Sequence, residues 1–259
     1  MRHKLFSGVA VLALLMPCLV QAAPDEILKY SAADGSSLVM NVFRADAEDR
    51  TGQAAVFYFG GGWRVGNPQQ FFPFCEALQG QGITCFVPDY RVSSRQGTDG
   101  VDALEDARAA FNWVVTNSAE FGVDKKQIYV GGGSAGGHLA ASVAVIPDAS
   151  LKARPIGMLL FNPAVDLGNS ARLNAIFRNA VADYSPIEFV RSGLPPAWVV
   201  HGTGDKIVPH ATVVDFCQRM DSAGNQCQLL SFDGAGHGFF NAGRPAYDEV
   251  LAALLSHLD

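Results

Sequence analysis

The run Tyr129-Val130-Gly131-Gly132-Gly133-Ser134-Ala135-Gly136-Gly137-His138 constrains this chain more than any other stretch. An apolar, β-like segment enters it and an Ala-rich helical pattern leaves it, so strand must turn into helix within a few residues. Strand and helix approach too closely at such a turn for a Cβ, and glycine is needed on both sides of it. Gly132 and Gly136 stand two positions either side of Ser134 and complete a G-x-S-x-G pattern. A serine at the apex is held in a strained backbone conformation that lifts its Oγ above the sheet. The helix that follows aims its N-terminus at the same point and favours negative charge developing there. Gly131, Gly133 and Gly136 also satisfy G-x-G-x-x-G, the dinucleotide-binding fingerprint. That fingerprint belongs to an early βαβ unit, with an acidic residue about 20 positions further on. Here the motif lies mid-chain and Pro155 to Gly157 offers no carboxylate, so the serine turn is the better reading.

The rest of the chain supplies a setting for that turn. Leu38 to Phe43 alternates like an early antiparallel strand. Ala54 to Phe59, Ile83 to Val87, Gln127 to Val130, Ile156 to Phe161, Pro196 to Val200 and Gln226 to Phe232 are short apolar runs, suited to strands buried on both faces of a parallel sheet. Helical patterns separate them at Gln69 to Leu78, Val101 to Asn117, Ala135 to Val145, His210 to Ala223 and Ala246 to Leu258. Gly80 and Gly82 stop the first of these. Alternation of this kind predicts right-handed βαβ units in a three-layer α/β arrangement, a mostly parallel sheet with helices on both faces. Reactive residues then belong beyond the carboxyl ends of the strands.

Met1 to Ala22 reads as a signal peptide. Arg2, His3 and Lys4 form a basic start, Leu5 to Val20 an apolar stretch short for a membrane span, and Val20-Gln21-Ala22 a cleavage region. Cys18 would suit a lipoprotein signal, but Met16 and Pro17 fit that processing poorly. The expected product is one catalytic-sized domain over residues 23–259, periplasmic or secreted, with no stable membrane insertion after cleavage. The formal charge of −6 argues against nucleic acid as a partner. Cys75, Cys85, Cys217 and Cys227 remain, in two equally spaced pairs that each join a helical pattern to the following strand. In an oxidising compartment this suggests disulfides Cys75–Cys85 and Cys217–Cys227; the alternative is four buried thiols. No His/Cys spacing suggests a metal, and no cofactor is expected.

A serine hydroxyl is a weak nucleophile until a base takes its proton and a third group orients that base. His237, in Gly234-Ala235-Gly236-His237-Gly238-Phe239, follows the last strand and is the best base. His138 lies one turn beyond Ser134 and suits packing, His201 precedes the loop expected to hold the acid, and His210 and His257 fall near the ends of surface helices. Asp205, in His201-Gly202-Thr203-Gly204-Asp205, gives the chain order Ser, Asp, His, with Asp166 as the runner-up and Asp233 too close to His237. Donors for a developing oxyanion are expected from the backbone of Ala135 and from Gly61 and Gly62 in Phe59-Gly60-Gly61-Gly62-Trp63; a plain glycine-rich turn is the bland alternative.

These segments, together with Pro88-Asp89-Tyr90-Arg91, make the chain from about Leu38 onward resemble α/β-hydrolases of the esterase and lipase type. The likeness is greatest to branches related to hormone-sensitive lipase and to bacterial esterases that deacylate carbohydrates. It implies an α/β-hydrolase fold with a short lid, a triad of Ser134, Asp205 and His237, and an oxyanion hole of Gly61, Gly62 and Ala135. One departure stands out, since many relatives have His-Gly-Gly-Gly where this chain has Phe59 before its glycines. Only Asp166 to Leu194 is available as a lid, and it lacks the long apolar runs of an interfacial one. Trp63 at the glycine loop, and Phe239 and Phe240 near the histidine, are candidates to narrow the acyl side of the substrate pocket, with packing as the equal alternative for each. The implied activity is hydrolysis of short-chain acyl esters, with a small-molecule or carbohydrate ester as substrate. A peptidase of the prolyl-oligopeptidase type, or a non-catalytic binding protein on the same scaffold, are the rivals.

Overall fold

The computed structural model describes residues 22–168 and 170–258. Apart from Ala22, the expected signal peptide lies outside the described residues. The strands are β1 (Glu26–Ser31), β2 (Ser37–Phe43), β3 (Ala54–Tyr58), β4 (Thr84–Pro88), β5 (Ile128–Gly133), β6 (Met158–Phe161), β7 (Ala197–Gly202) and β8 (Cys227–Phe232). The helices are α1 (Phe72–Gln79), α2 (Ser93–Gln96), α3 (Gly100–Asn117), α4 (Ala135–Val145), α5 (Ala171–Ile176), α6 (His210–Ser222) and α7 (Tyr247–Leu258).

The strands form one sheet in the order β1-β2-β4-β3-β5-β6-β7-β8. β1 and β2 run antiparallel to their neighbours, and every pairing from β4 to β8 is parallel. The apolar composition of β3 fits its place, since all five of its residues are buried. Alternate side chains feed two cores. Ala54, Val56 and Tyr58 join α3, α4 and α6 through Leu104, Phe111, Leu139, Phe216 and Met220. Ala55 and Phe57 join α1 and α7 through Phe74, Leu78, Val250 and Leu254. The two-layer cover of a parallel sheet follows from that alternation.

Two elements differ from the sequence expectation. β8 was expected to be buried on both faces, yet none of its residues is fully buried, because it closes the edge of the sheet. β1, with Glu26 and Lys29 among its residues, has no strong strand pattern of its own and forms the opposite edge by pairing with β2.

Loops at the carboxyl ends of the strands are tied down from below. The Asp99 carboxylate accepts from the amides of Val101 and Asp102, and Asp102 accepts from that of Asp99, a capping box that starts α3. The buried Asp106 of α3 receives Arg91 through two side-chain bonds, Nε at 2.7 Å and Nη2 at 2.8 Å. This pair anchors the Pro88-Asp89-Tyr90-Arg91 segment. Cys75 of α1 is bridged to Cys85 of β4, and Cys217 of α6 to Cys227 of β8, with Cα separations of 5.3 and 5.1 Å. Among the described residues no helix is long and apolar enough to cross a membrane.

Candidate active site

Ser134 sits between β5 and α4 with φ 54° and ψ −117°, a conformation L residues rarely adopt. The surrounding backbone holds it there. Its N–H donates to the Phe161 carbonyl at 2.9 Å, and its own carbonyl accepts from His138 at 2.9 Å and from Ala164 at 3.3 Å. The flanking glycines are required by contact as well as by the turn. A Cβ on Gly132 would lie 2.5 Å from the Tyr58 carbonyl oxygen, and one on Gly136 would overlap the carbonyls of Tyr58 and Phe59. β3 and α4 touch at this point through bare backbone.

His237 reaches the serine from the loop after β8. Its Nε2 lies 2.9 Å from Ser134 Oγ and its Nδ1 lies 2.7 Å from Asp205 Oδ2. Asp205 follows β7, is 8% exposed, and accepts through Oδ1 from the amides of Ile207 (2.8 Å) and Val208 (3.0 Å). Burial pushes its carboxyl up, but the bonds from His237, Ile207 and Val208 outweigh this and leave it below the usual range. An ionised carboxylate can only accept, so Nδ1 carries the ring proton and Nε2 is free to accept from the serine hydroxyl. His201 lies behind, fully buried, with Nε2 at 3.9 Å from Asp205 Oδ2; burial holds its pKa down.

The two loops that supply Asp205 and His237 are laced together. The Thr203 amide donates to the Phe232 carbonyl, the Gly204 amide to the Ala235 carbonyl, and the Gly234 amide to Thr203 Oγ1. Asp233 is used here, accepting from Thr203 Oγ1 at 3.1 Å, and Asp166 accepts from the Gly168 amide at 2.8 Å. Neither forms a hydrogen bond to His237.

The loop after β3 is built for exposed backbone. Gly61 has φ 134°, Gly62 63° and Trp63 58°, and a Cβ on Gly61 would overlap the Val65 carbonyl. Among the described residues the amides of Gly61 and Gly62 have no hydrogen-bond partner. Ala135 begins α4, where the first amides have no acceptor within the helix. Phe59 leaves the job of orienting this loop to other groups. Its ring stacks on Tyr90 at 4.0 Å, and Tyr90 Oη donates to the Phe59 carbonyl at 2.6 Å. Gln70 Oε1 accepts from the Gly60 amide at 2.6 Å, while its Nε2 donates to Asn241 Oδ1 at 2.9 Å. Asn241 in turn donates to the Gly238 carbonyl, so Gln70 joins the glycine loop to the histidine loop.

A family model described as the alpha/beta hydrolase fold matches residues 55–241, a span that holds all of these groups. The chain belongs to the α/β-hydrolase family. Among curated relatives it is similar to an acetylxylan esterase of Xylanibacter ruminicola, at 27% identity over 98% of the chain. It is also similar to the esterase LipC of Mycobacterium tuberculosis, at 28% identity over 80% of the chain. The chain spans 54% and 58% of the length of these two relatives. Among solved structures, the apo form of Thermogutta terrifontis esterase 2 superimposes with a TM-score of 0.85 at 37% identity, covering 90% of this chain and 93% of that one. The propionate-bound form of the same esterase gives a TM-score of 0.84 at 37% identity, over 93% of this chain and 95% of that one.

In this α/β-hydrolase two cavities meet at Ser134. The larger, about 820 Å³, is lined by Gly60, Asn67, Gln69, Gln70, His237 and Asn241 among others. The smaller, about 410 Å³, is walled by Trp63, Ala164, Leu167, Leu173 and Val208. Gly62, Arg172 and Ile207 border both. Trp63 therefore lies where a pocket residue should. Phe239 does not: it is buried against Phe232 at 4.9 Å, and its neighbour Phe240 lines the larger cavity instead. Both rings belong to the core beneath α1 and α7, and Gly238 just before them has φ 72°. Gln70, Asn162, Arg172 and Asn241 were not singled out from sequence, since none lies in a motif. Among the described residues no group of three or more His, Cys, Asp or Glu is placed to hold a metal ion.

Proposed function

We propose that this α/β-hydrolase is a serine carboxylic-ester hydrolase, with Ser134 as nucleophile, His237 as base and Asp205 as its orienting acid. The observation that carries the reading is His237 bridging the other two, 2.9 Å from Ser134 Oγ and 2.7 Å from Asp205 Oδ2. Ser134 attacks the ester carbonyl as its proton passes to His237 Nε2, and Asp205 stabilises the imidazolium. The amides of Gly61, Gly62 and Ala135 donate to the oxyanion. His237 returns the proton to the leaving alcohol, and water activated by the same ring then clears the acyl-enzyme.

The two cavities divide the substrate. The apolar wall of the smaller one suits an acyl group, and Trp63, held edge-on between His138 and Phe177, limits its length. The amide-rich lining of the larger one suits a hydroxylated alcohol such as a sugar. The acetylxylan esterase relative and the propionate-bound neighbour support a short acyl group on a carbohydrate or similar alcohol. The basic and apolar start of the sequence and the two disulfides support export to the periplasm or beyond the cell.

Hydrolysis of p-nitrophenyl acetate, butyrate and octanoate by the wild type and Ser134→Ala tests this. Serine-dependent turnover that falls with chain length is the expected result. Absence of serine-dependent turnover on all three esters overturns the assignment, and reactivity with a fluorophosphonate then separates a peptidase from a non-catalytic scaffold.

A further inference from the structure

The peptide unit between Phe59 and Gly60, which opens the glycine loop, is gripped by a side chain at each end. Its carbonyl accepts from Tyr90 Oη at 2.6 Å, and its N–H donates to Gln70 Oε1 at 2.6 Å. A peptide is planar, so holding both ends fixes the direction in which the chain leads on to Gly61 and Gly62. Gly60 also stands against the nucleophile, since a Cβ there would lie 2.9 Å from the Gly133 carbonyl oxygen and 3.4 Å from Ser134 Cβ. From Gln70 the contacts continue to the histidine loop. Gln70 Nε2 donates to Asn241 Oδ1 at 2.9 Å, and Asn241 Nδ2 donates at 2.9 Å to the carbonyl of Gly238, the residue after His237. Main chain at both ends sets the direction of the two side-chain amides. The Gly60 N–H can only donate and the Gly238 carbonyl can only accept, so turning either amide over would set donor against donor or acceptor against acceptor. The adjacent residues back this chain of bonds from the core, where Phe71 and Phe240 are buried and stack at 6.0 Å.

We infer that Gln70 and Asn241 form an oriented brace that holds the oxyanion loop and the histidine loop at one fixed separation. Gln70 is then a positioning residue for the Gly61 and Gly62 amides, and Asn241 for His237. This rests on the ester-hydrolase reading above. The oxyanion forms as His237 takes the serine proton, so donors and base must be in register at the same moment. A misplacement of about 1 Å in such a constellation costs about 100-fold in rate. The Phe59 side chain has no polar group with which to orient the loop, and the brace supplies one. Because its effect is on the transition state, it raises kcat and leaves substrate binding little changed.

The test compares Gln70→Leu, Asn241→Ala and the double variant on p-nitrophenyl acetate. Each single variant is expected to lower kcat about tenfold with KM little changed. Affinity for an alkyl trifluoromethyl ketone, whose adduct with Ser134 carries an oxyanion, should fall by a similar factor. The double variant should lose less than the product of the two single losses, because either change already breaks the brace. Normal kcat in Gln70→Leu, or a double loss equal to that product, overturns the inference. A rise in KM alone also overturns it and makes the two amides substrate contacts. The Gly60 amide proton of the wild type, assigned in glycine-labelled protein, gives a readout that needs no variant to fold. A downfield, slowly exchanging resonance is expected of its 2.6 Å bond to Gln70, and an ordinary one overturns the inference. Absence of serine-dependent turnover in the wild type would sink the hydrolase reading, whereas an ordinary Gly60 resonance in an active wild type sinks the brace alone.

Discussion

His138 offers a measurable consequence of the way α4 is buried beneath the site. It is fully buried one turn past Ser134, with Nε2 at 2.7 Å from the Tyr184 carbonyl and 3.3 Å from Ser142 Oγ. A carbonyl only accepts, so Nε2 carries the proton, and Nδ1 has no partner. Burial pushes its pKa down to about 4; the Tyr184 carbonyl opposes this and the nearby Arg108 adds to it. In the unfolded chain the ring takes up its proton near the ordinary value of about 6.5. Stability is therefore intact above that pH and is lost as pH falls towards about 4, because the unfolded state binds the proton first. Between about pH 7.5 and 4.5 this one group removes about 2.5 kcal/mol. His138→Gln keeps a donor for Tyr184 but cannot take the proton. Urea unfolding under non-reducing conditions across that range measures the difference, and the other titrating groups cancel between the two proteins. The variant is expected to start less stable, and the gap to close by about 2.5 kcal/mol on acidification. Parallel pH curves would refute the reasoning and mean that His138 is reached by water.

Four further outcomes follow from the geometry. Asp205→Asn leaves the ring without a partner that requires the Nδ1–H tautomer, and kcat on p-nitrophenyl acetate should fall by roughly 10⁴; near-normal turnover would move the acid elsewhere. Gly136→Ala forces a methyl into the Tyr58 and Phe59 carbonyls, and should cost about 3 kcal/mol or more together with fluorophosphonate labelling of Ser134. A variant that melts with the wild type would show that β3 and α4 are not in backbone contact. Protein from an oxidising compartment should show no alkylable thiol at Cys75, Cys85, Cys217 or Cys227 after denaturation. Replacing Cys217 and Cys227 by Ser opens a loop of sequence separation 10 and should cost about 3 kcal/mol in urea unfolding.

The local parts of this protein are legible in its sequence. Short apolar runs such as Ala54–Tyr58 can only be covered on both faces, and their alternation with helical patterns leaves a parallel, helix-covered sheet as the economical solution. The glycines around Ser134 announce a turn too tight for side chains, and the order Ser134, Asp205, His237 places three groups at the carboxyl ends of β5, β7 and β8. The structure brings those three within hydrogen-bonding distance. The cysteine pairs were legible for the same reason, each joining a helix to the next strand across one short loop.

What remained hidden depends on contacts between distant residues. Gln70 meets Asn241 across 171 positions, and no spacing rule links them. Asn162 meets His237 only because β6 and the loop after β8 end at the same edge of the sheet. Phe239 and Phe240 are equivalent on paper; both are buried in the same core, and only Phe240 also lines the larger cavity. β1 lacks a pattern strong enough to predict, and exists because β2 offers it an edge to pair with. By itself the sequence determined periodicity, turns and the order of reactive groups, since those are set by covalent neighbours within a few residues. Only the tertiary structure decided which amides orient the glycine loop and which of the two rings also lines the cavity, because each depends on where packing of the two cores sets the ends of separate strands.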